Sequence, residues 1–210
     1  MDAIILVDLQ YDFMPGGALA VPEGDAVVPI ANRLIKQFET VIATQDWHPP
    51  EHVSFASNHA DRRPGEIITV DGRDQILWPV HCVQGSPGAN LHRELDTARI
   101  TKIIQKGTNP RIDSYSGFFD NARAQSTDLN DELKSRGIRR IIVLGLATDY
   151  CVKFTVLDAL SLGYEATLVL DGCRGVELRE GDIRHAVADM ESAGARISNS
   201  AELIQEFAGR

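Results

Sequence analysis

"RIIVLGLATDYCVKFTVLDALSLG", residues 140–163, changes periodicity halfway along its length. Arg140–Leu146 is a β-branched, nearly continuous apolar run, as in a strand buried on both faces. From Val152 to Leu162 the apolar residues recur at helical spacing, and Gly163 then supplies the left-handed stop that ends many helices. Cys151 sits at the joint. A free cysteine is more often a small core residue than a reactive thiol, so its neighbours in space must decide its role.

The same alternation continues outward in both directions. Strands are expected at 3–9, 40–46, 101–106, 166–171 and 196–199 besides 140–146. Amphipathic helices are expected around Val27, Ile30, Leu34 and Phe38, and over Leu129–Arg136, Val152–Leu162 and Ile183–Ser192. Strands alternating with helices imply right-handed crossovers. The expected fold class is α/β, three-layered, with a six-stranded, mainly parallel sheet carrying helices on both faces, in one domain over residues 1–210. Trp47–Arg99 is the exception, a weakly periodic stretch holding five of the six histidines. Long irregular segments of this kind are usually functional.

Bulk properties narrow the function classes. A net charge of −9 repels nucleic acid and anionic lipid, so neither is an expected partner. No stretch approaches the roughly 20 apolar residues of a membrane helix. The opening MDAIILVD lacks a basic leader, which points to a cytoplasmic protein. Three cysteines, at 82, 151 and 173, do not make a disulfide framework.

Parallel sheets bind ligands beyond the carboxyl ends of their strands. Those ends are Asp8, Asp46, Lys106, the Cys151 joint and Asp171, so one rim is expected to gather three carboxylates, an ammonium and a thiol. In the first turn of a helix, and near Lys106, Cys151 would be favoured as thiolate, while Asp8 is the natural acceptor of its proton. Cys82 and Cys173 lack such neighbours and are read as structural.

"DWHPPEH" places Asp46 and His48 two residues apart on one side of an extended backbone, and "WPVHC" adds His81. One carboxylate and two imidazoles suit a divalent zinc, iron or manganese ion with open positions. On the residues alone, three polar side chains satisfied by backbone hydrogen bonds is an equal alternative. His52 and His59 could extend the site, with surface loop histidines the favoured reading, and His92 and His185 are read as solvent-facing residues of helices.

Taken together, "ILVDLQYDFMPGGAL", "DWHPPEHVSFASNH", "LWPVHCVQGSPGA", "DSYSGFFDN" and "GLATDYCVKFTVLDAL" resemble the nicotinamidase and pyrazinamidase branch of the isochorismatase-like cysteine hydrolases. The resemblance runs in order over nearly the whole chain. It implies hydrolysis of a small-molecule substrate, nicotinamide, to nicotinate and ammonia in NAD salvage, with pyrazinamide as a second substrate and a Cys thioester as intermediate. It implies Cys151 as nucleophile, Asp8 as proton acceptor and donor, and Lys106 as third member of the triad. Asp46, His48 and His81 become ligands of one divalent metal ion, zinc before iron or manganese, which holds the pyridine nitrogen. Phe13, Leu19, Trp78 and Tyr115 become pocket residues, and the N–H groups of Ala147 and Cys151 an oxyanion hole beside a cis Leu146–Ala147 peptide. The family varies in its remaining metal contacts, and Glu51, His52 and Ser54 lie nearby in sequence. Monomer and homo-oligomer are both compatible.

Three rivals remain at this stage. A metalloamidase would keep the cation and demote the thiol. A non-catalytic nucleotide-binding module would need a G-x-G-x-x-G or P-loop that the chain lacks. A sibling amidase acting on N-carbamoyl or ureido amides would have no use for the Asp46, His48 and His81 trio.

Overall fold

Unbroken burial marks the central strands. The computed structural model describes residues 1–208; Gly209 and Arg210, the last two of the expected 1–210 domain, lie outside the described residues. The strands are β1 (Asp2–Val7), β2 (Thr40–Asp46), β3 (Ile67–Val70), β4 (Arg73–Ile76), β5 (Lys102–Lys106), β6 (Arg140–Leu146), β7 (Glu165–Arg174) and β8 (Arg196–Ser198). The helices are α1 (Val27–Leu34), α2 (Leu129–Ser135), α3 (Lys153–Ser161), α4 (Asp182–Ser192) and α5 (Ser200–Ala208). Among the described residues, six strands form a parallel sheet in the order β5-β2-β1-β6-β7-β8. α1 and α5 pack together over one face, and α3 and α4 together over the other. β2 is buried at every residue, whereas the edge strand β5 alternates and leaves Ile103 and Gln105 exposed.

Several expectations shift on inspection. β1 stops at Val7 rather than residue 9, because Asp8 turns into the left-handed region at φ +51°. β7 does not end at Asp171. Its ladder with β6 slips register between Val143 and Gly145, then resumes with Cys173 opposite Gly145 and Arg174 opposite Leu146. The extra residues of β7 are accommodated at that irregularity, as in a β-bulge. Asp171 instead accepts hydrogen bonds from the Ser200 N–H (2.8 Å) and Ser200 Oγ (2.6 Å) at the start of α5. It is a helix-anchoring group and does not join the rim. α5 is an element the sequence reading did not anticipate, and so is the antiparallel hairpin β3–β4 within the irregular 47–99 stretch.

The joint after β6 also differs. Thr148–Val152 forms a π-helical turn before α3 begins at Lys153, so Cys151 belongs to a wide turn rather than to the first turn of an α-helix. π turns are rare and concentrate at functional sites. Gly145 shows why β6 can run so close to β1: at φ +134°, a Cβ there would overlap the Val7 carbonyl oxygen. His92 lies in a turn outside any helix and is half-buried, with its ring 5.1 Å from that of Tyr11. His185 is exposed on α4, as expected.

Candidate active site

Three of the five expected rim residues meet around one nitrogen. Adjacent strands β1, β2 and β5 end side by side, with Asp46 directly opposite Lys106 in register. The Lys106 Nζ lies 2.9 Å from Asp8 Oδ2, 2.5 Å from Asp46 Oδ1 and 3.3 Å from Cys151 Sγ, and donates to the Ser114 carbonyl at 3.0 Å. Thr44 fixes Asp8 from behind: its hydroxyl donates to Asp8 Oδ1 at 2.6 Å and accepts the Asp8 N–H at 3.2 Å. Gln10 clamps the end of β2, donating to the Asp46 carbonyl and accepting the Asp46 N–H, both at 2.8 Å.

Electrostatics assigns the protons. Burial alone would depress Lys106, but Asp46 and Asp8 keep its ammonium well above the ordinary lysine value. Burial would raise Asp46, yet Lys106 and then His48 hold it well below the usual carboxylate range. Asp8 goes the other way: burial raises it, and Lys106 only partly opposes that. Burial likewise pushes the Cys151 thiol well up, against Lys106, with Asp8 and Asp46 adding to the rise. The sequence reading favoured a resting thiolate. The structure corrects this, because a desolvated sulfur beside two carboxylates retains its proton. The neighbouring carboxylate whose own proton affinity is raised is Asp8.

The choice between metal ligands and backbone-satisfied polar groups turns on the ring nitrogens.

 
Each imidazole spends its Nδ1–H on a backbone carbonyl, His48 on Gly107 (2.9 Å) and His81 on Pro79 (2.8 Å). Both Nε2 atoms then face Asp46 Oδ2, at 3.5 and 3.9 Å. Backbone satisfaction and ligand geometry therefore coexist, and a ring fixed through Nδ1 is how ligating histidines are usually oriented. Burial, with His48 adding to it, holds His81 at about 4, so its Nε2 lone pair is free of a proton at neutral pH. His48 is raised despite burial because Asp46 draws a proton toward it, the position of positive charge that a divalent cation would take over. The donor set fits such an ion. Gly107 makes the arrangement sterically feasible, since at φ +65° it leaves room where a Cβ would overlap the His48 ring.

Of the nearby candidates for further metal contact, Glu51 is exposed. His52 is not a surface residue as expected but completely buried, its ring centroid 4.1 Å from that of His48. Its Nδ1 pairs with Ser54 Oγ at 2.7 Å, and its Nε2 has no hydrogen-bond partner among the described residues. Burial, then His48, lowers its pKa to about 4. His59 is half-buried and bonded to the Val53 carbonyl at 2.7 Å.

Beside the sulfur lies a narrow cavity. Phe13, Leu19, Trp78 and Tyr115 all line it, with Asp46, His81, Ala147 and Cys151, and so do three residues the sequence reading missed, Asp113, Tyr150 and Val176. Trp78 Nε1–H donates to the Tyr115 hydroxyl at 3.2 Å, and the Tyr150 ring meets Trp78 edge-on at 4.9 Å. Asp113 is buried and fixed by the Ser114 N–H (2.8 Å) and Gln75 Nε2 (3.1 Å). Tyr150 adjoins the cysteine in sequence, which was the available signal for it; Asp113 and Val176 arrive from loops with no periodic pattern. The Leu146–Ala147 peptide is cis, as the resemblance implied. Cys82 and Cys173 are buried in the core, the latter pushed up to about 12 by burial.

The fold and the site together place a buried cysteine, carboxylate and ammonium beside a carboxylate–imidazole set on the rim of a parallel α/β sheet, and comparison with known proteins gives the family. The model of the isochorismatase domain matches residues 2–202, and the chain belongs to that family. It is 54% identical to the nicotinamidase of Escherichia coli K12 over 95% of each chain. A nicotinamidase/pyrazinamidase structure from Acinetobacter baumanii superposes with a TM-score of 0.93 at 42% identity, covering 96% of this chain and 97% of that one. The pyrazinamidase of Pyrococcus horikoshii in complex with zinc superposes with a TM-score of 0.76 at 39% identity, covering 94% and 98%.

Proposed function

We propose that this protein is a nicotinamidase, hydrolysing nicotinamide to nicotinate and ammonia for NAD salvage in the cytoplasm, with pyrazinamide as a second substrate and the whole chain acting as one catalytic domain. The observation that carries this reading is the contact of Asp8, Lys106 and Cys151 beside Asp46, His48 and His81, with Cys151, Asp46 and His81 lining one aromatic-walled cavity.

Cys151 Sγ attacks the carboxamide carbon while its proton passes to Asp8, whose raised proton affinity suits that transfer. Lys106 stays protonated and offsets the negative charge as it moves between carboxylate and sulfur. The oxygen of the tetrahedral adduct is assigned to the N–H groups of Ala147 and Cys151, each worth on the order of 3 kcal/mol when well placed. Asp8 then delivers its proton to the amide nitrogen, the C–N bond breaks, and ammonia leaves behind a thioester. Water adds to the thioester carbon as Asp8 takes its proton; the C–S bond breaks, Asp8 returns the proton to sulfur, and nicotinate departs. When bound by Asp46, His48 and His81, a zinc ion, or iron or manganese on the same donors, supplies Lewis acidity that anchors the pyridine nitrogen. Phe13 and Trp78 hold the ring by edge and face contacts.

The test is ammonia release from nicotinamide by protein loaded with zinc, iron or manganese. Turnover with any one of them supports the reading, and silence with all three refutes the substrate.

A further inference from the structure

Asp149 has no part in the chemistry above, yet its buried carboxylate ties the nucleophile's turn to the segment after β7. It lies in the Thr148–Val152 turn, two residues before the nucleophile. Oδ1 accepts the Val176 N–H at 3.0 Å and Oδ2 the Glu177 N–H at 2.7 Å. Both amides belong to the Gly175–Gly181 segment that follows β7. Glu177 adopts a left-handed φ of +52°, and its Oε1 accepts the Gly181 N–H at 2.9 Å, so the segment is closed on itself as well as tied to the turn. At Gly175 a Cβ would overlap Ile183 Cγ1 and lie 2.9 Å from Asp149 Oδ1, so the backbone there is packed between Ile183 and the carboxylate. The segment turns Val176 into the ring cavity, while Leu178 is exposed at 45% and faces an outer groove.

Hydrogen bonds from two consecutive amides to one ionised group are stronger than neutral ones and fix direction as well as distance. They set the backbone at Val176 relative to the very turn that carries Cys151. We propose that Asp149 is a positioning residue, latching Gly175–Gly181 to the nucleophile's turn so that Val176 sets the width of the ring pocket and excludes substituted rings. The proposal rests on the nicotinamidase reading.

The experiment measures kcat and KM for nicotinamide and for a ring-methylated nicotinamide with the metal-loaded wild type, Asp149→Ala, Asp149→Asn, Val176→Ala and the Asp149→Ala/Val176→Ala double variant. Loss of charge-assisted bonds predicts a rise in KM for nicotinamide of about tenfold in Asp149→Ala, with kcat falling less than about threefold. The relative kcat/KM for the methylated ring rises in Asp149→Ala and in Val176→Ala alike. The double variant goes little beyond the larger single effect, because both act through one wall. Asp149→Asn, retaining one acceptor oxygen, falls between wild type and Asp149→Ala, and it carries the comparison on its own, singly and with Val176→Ala, if the alanine variant does not fold. Unchanged KM and ring selectivity, or full additivity with Val176→Ala, overturns the latch alone. A wild type that releases no ammonia from nicotinamide overturns the reading beneath it.

Discussion

Asp8 and Asp46 touch the same ammonium and are opposite in kind. Asp46 is depressed below its ordinary value, so as an acid it contributes stability above the unfolded carboxylate pKa and loses it as pH falls toward the folded one. Asp8 is raised, so its ionised form at neutral pH weakens the fold while equipping it as a base. Asp46→Asn should therefore cost about 3–5 kcal/mol, the usual penalty for stripping a buried charge of its partner. Asp8→Asn should abolish turnover yet leave the melting temperature unchanged or higher; thermal unfolding of the two variants at neutral pH checks both, and a large drop for Asp8→Asn would contradict the assignment. The acid limb of kcat/KM should lie above the ordinary aspartate range, because Asp8 must be ionised to accept the thiol proton. At this scale the sequence was informative where a residue ended a strand, as with Asp8, Asp46 and Lys106. It misplaced Asp171, which a register slip leaves inside β7 and which pairs with Ser200 at the start of α5, and His52, which a folded loop buries; no local pattern records either.

The elements set the site by what they permit. β6 can approach β1 only because Gly145 lacks a side chain. Gly145→Ala should destabilise by about 2–4 kcal/mol through strain and overlap, read as a melting temperature lower by several degrees. An unchanged melting temperature would show that the strands have slack. Strands β2 and β6 fall at their expected residues, since unbroken β-branched runs between turn signals leave little freedom. The π turn at 148–152 and the hairpin β3–β4 escaped the reading for a physical reason. Single wide turns and short two-stranded ribbons are stabilised by tertiary contacts rather than by periodicity.

Across the whole molecule, a parallel sheet brings β5, β2, β1 and β6 to one edge, and the 47–99 stretch closes over that edge with His48, Trp78 and His81. In the reading proposed above, ring-holding and bond-breaking fall to different sets of residues, joined by the Asp46–Lys106 contact. Chelation should accordingly raise KM for nicotinamide while leaving the alkylation rate of Cys151 by iodoacetamide within about twofold, with zinc readdition restoring KM. Equal loss of alkylation would mean that the cation organises the sulfur as well. The acidic surface, with a net charge of −9, is consistent with an uncharged substrate that needs no long-range attraction.

The most direct measurement is ammonia release from nicotinamide by metal-loaded wild type and Cys151→Ala side by side. Wild type should turn over steadily, and the variant should be slower by about 10⁴-fold or more, the usual cost of removing a nucleophile. A Cys151→Ala protein that matches the wild-type rate would place the chemistry on something other than this sulfur and contradict the account.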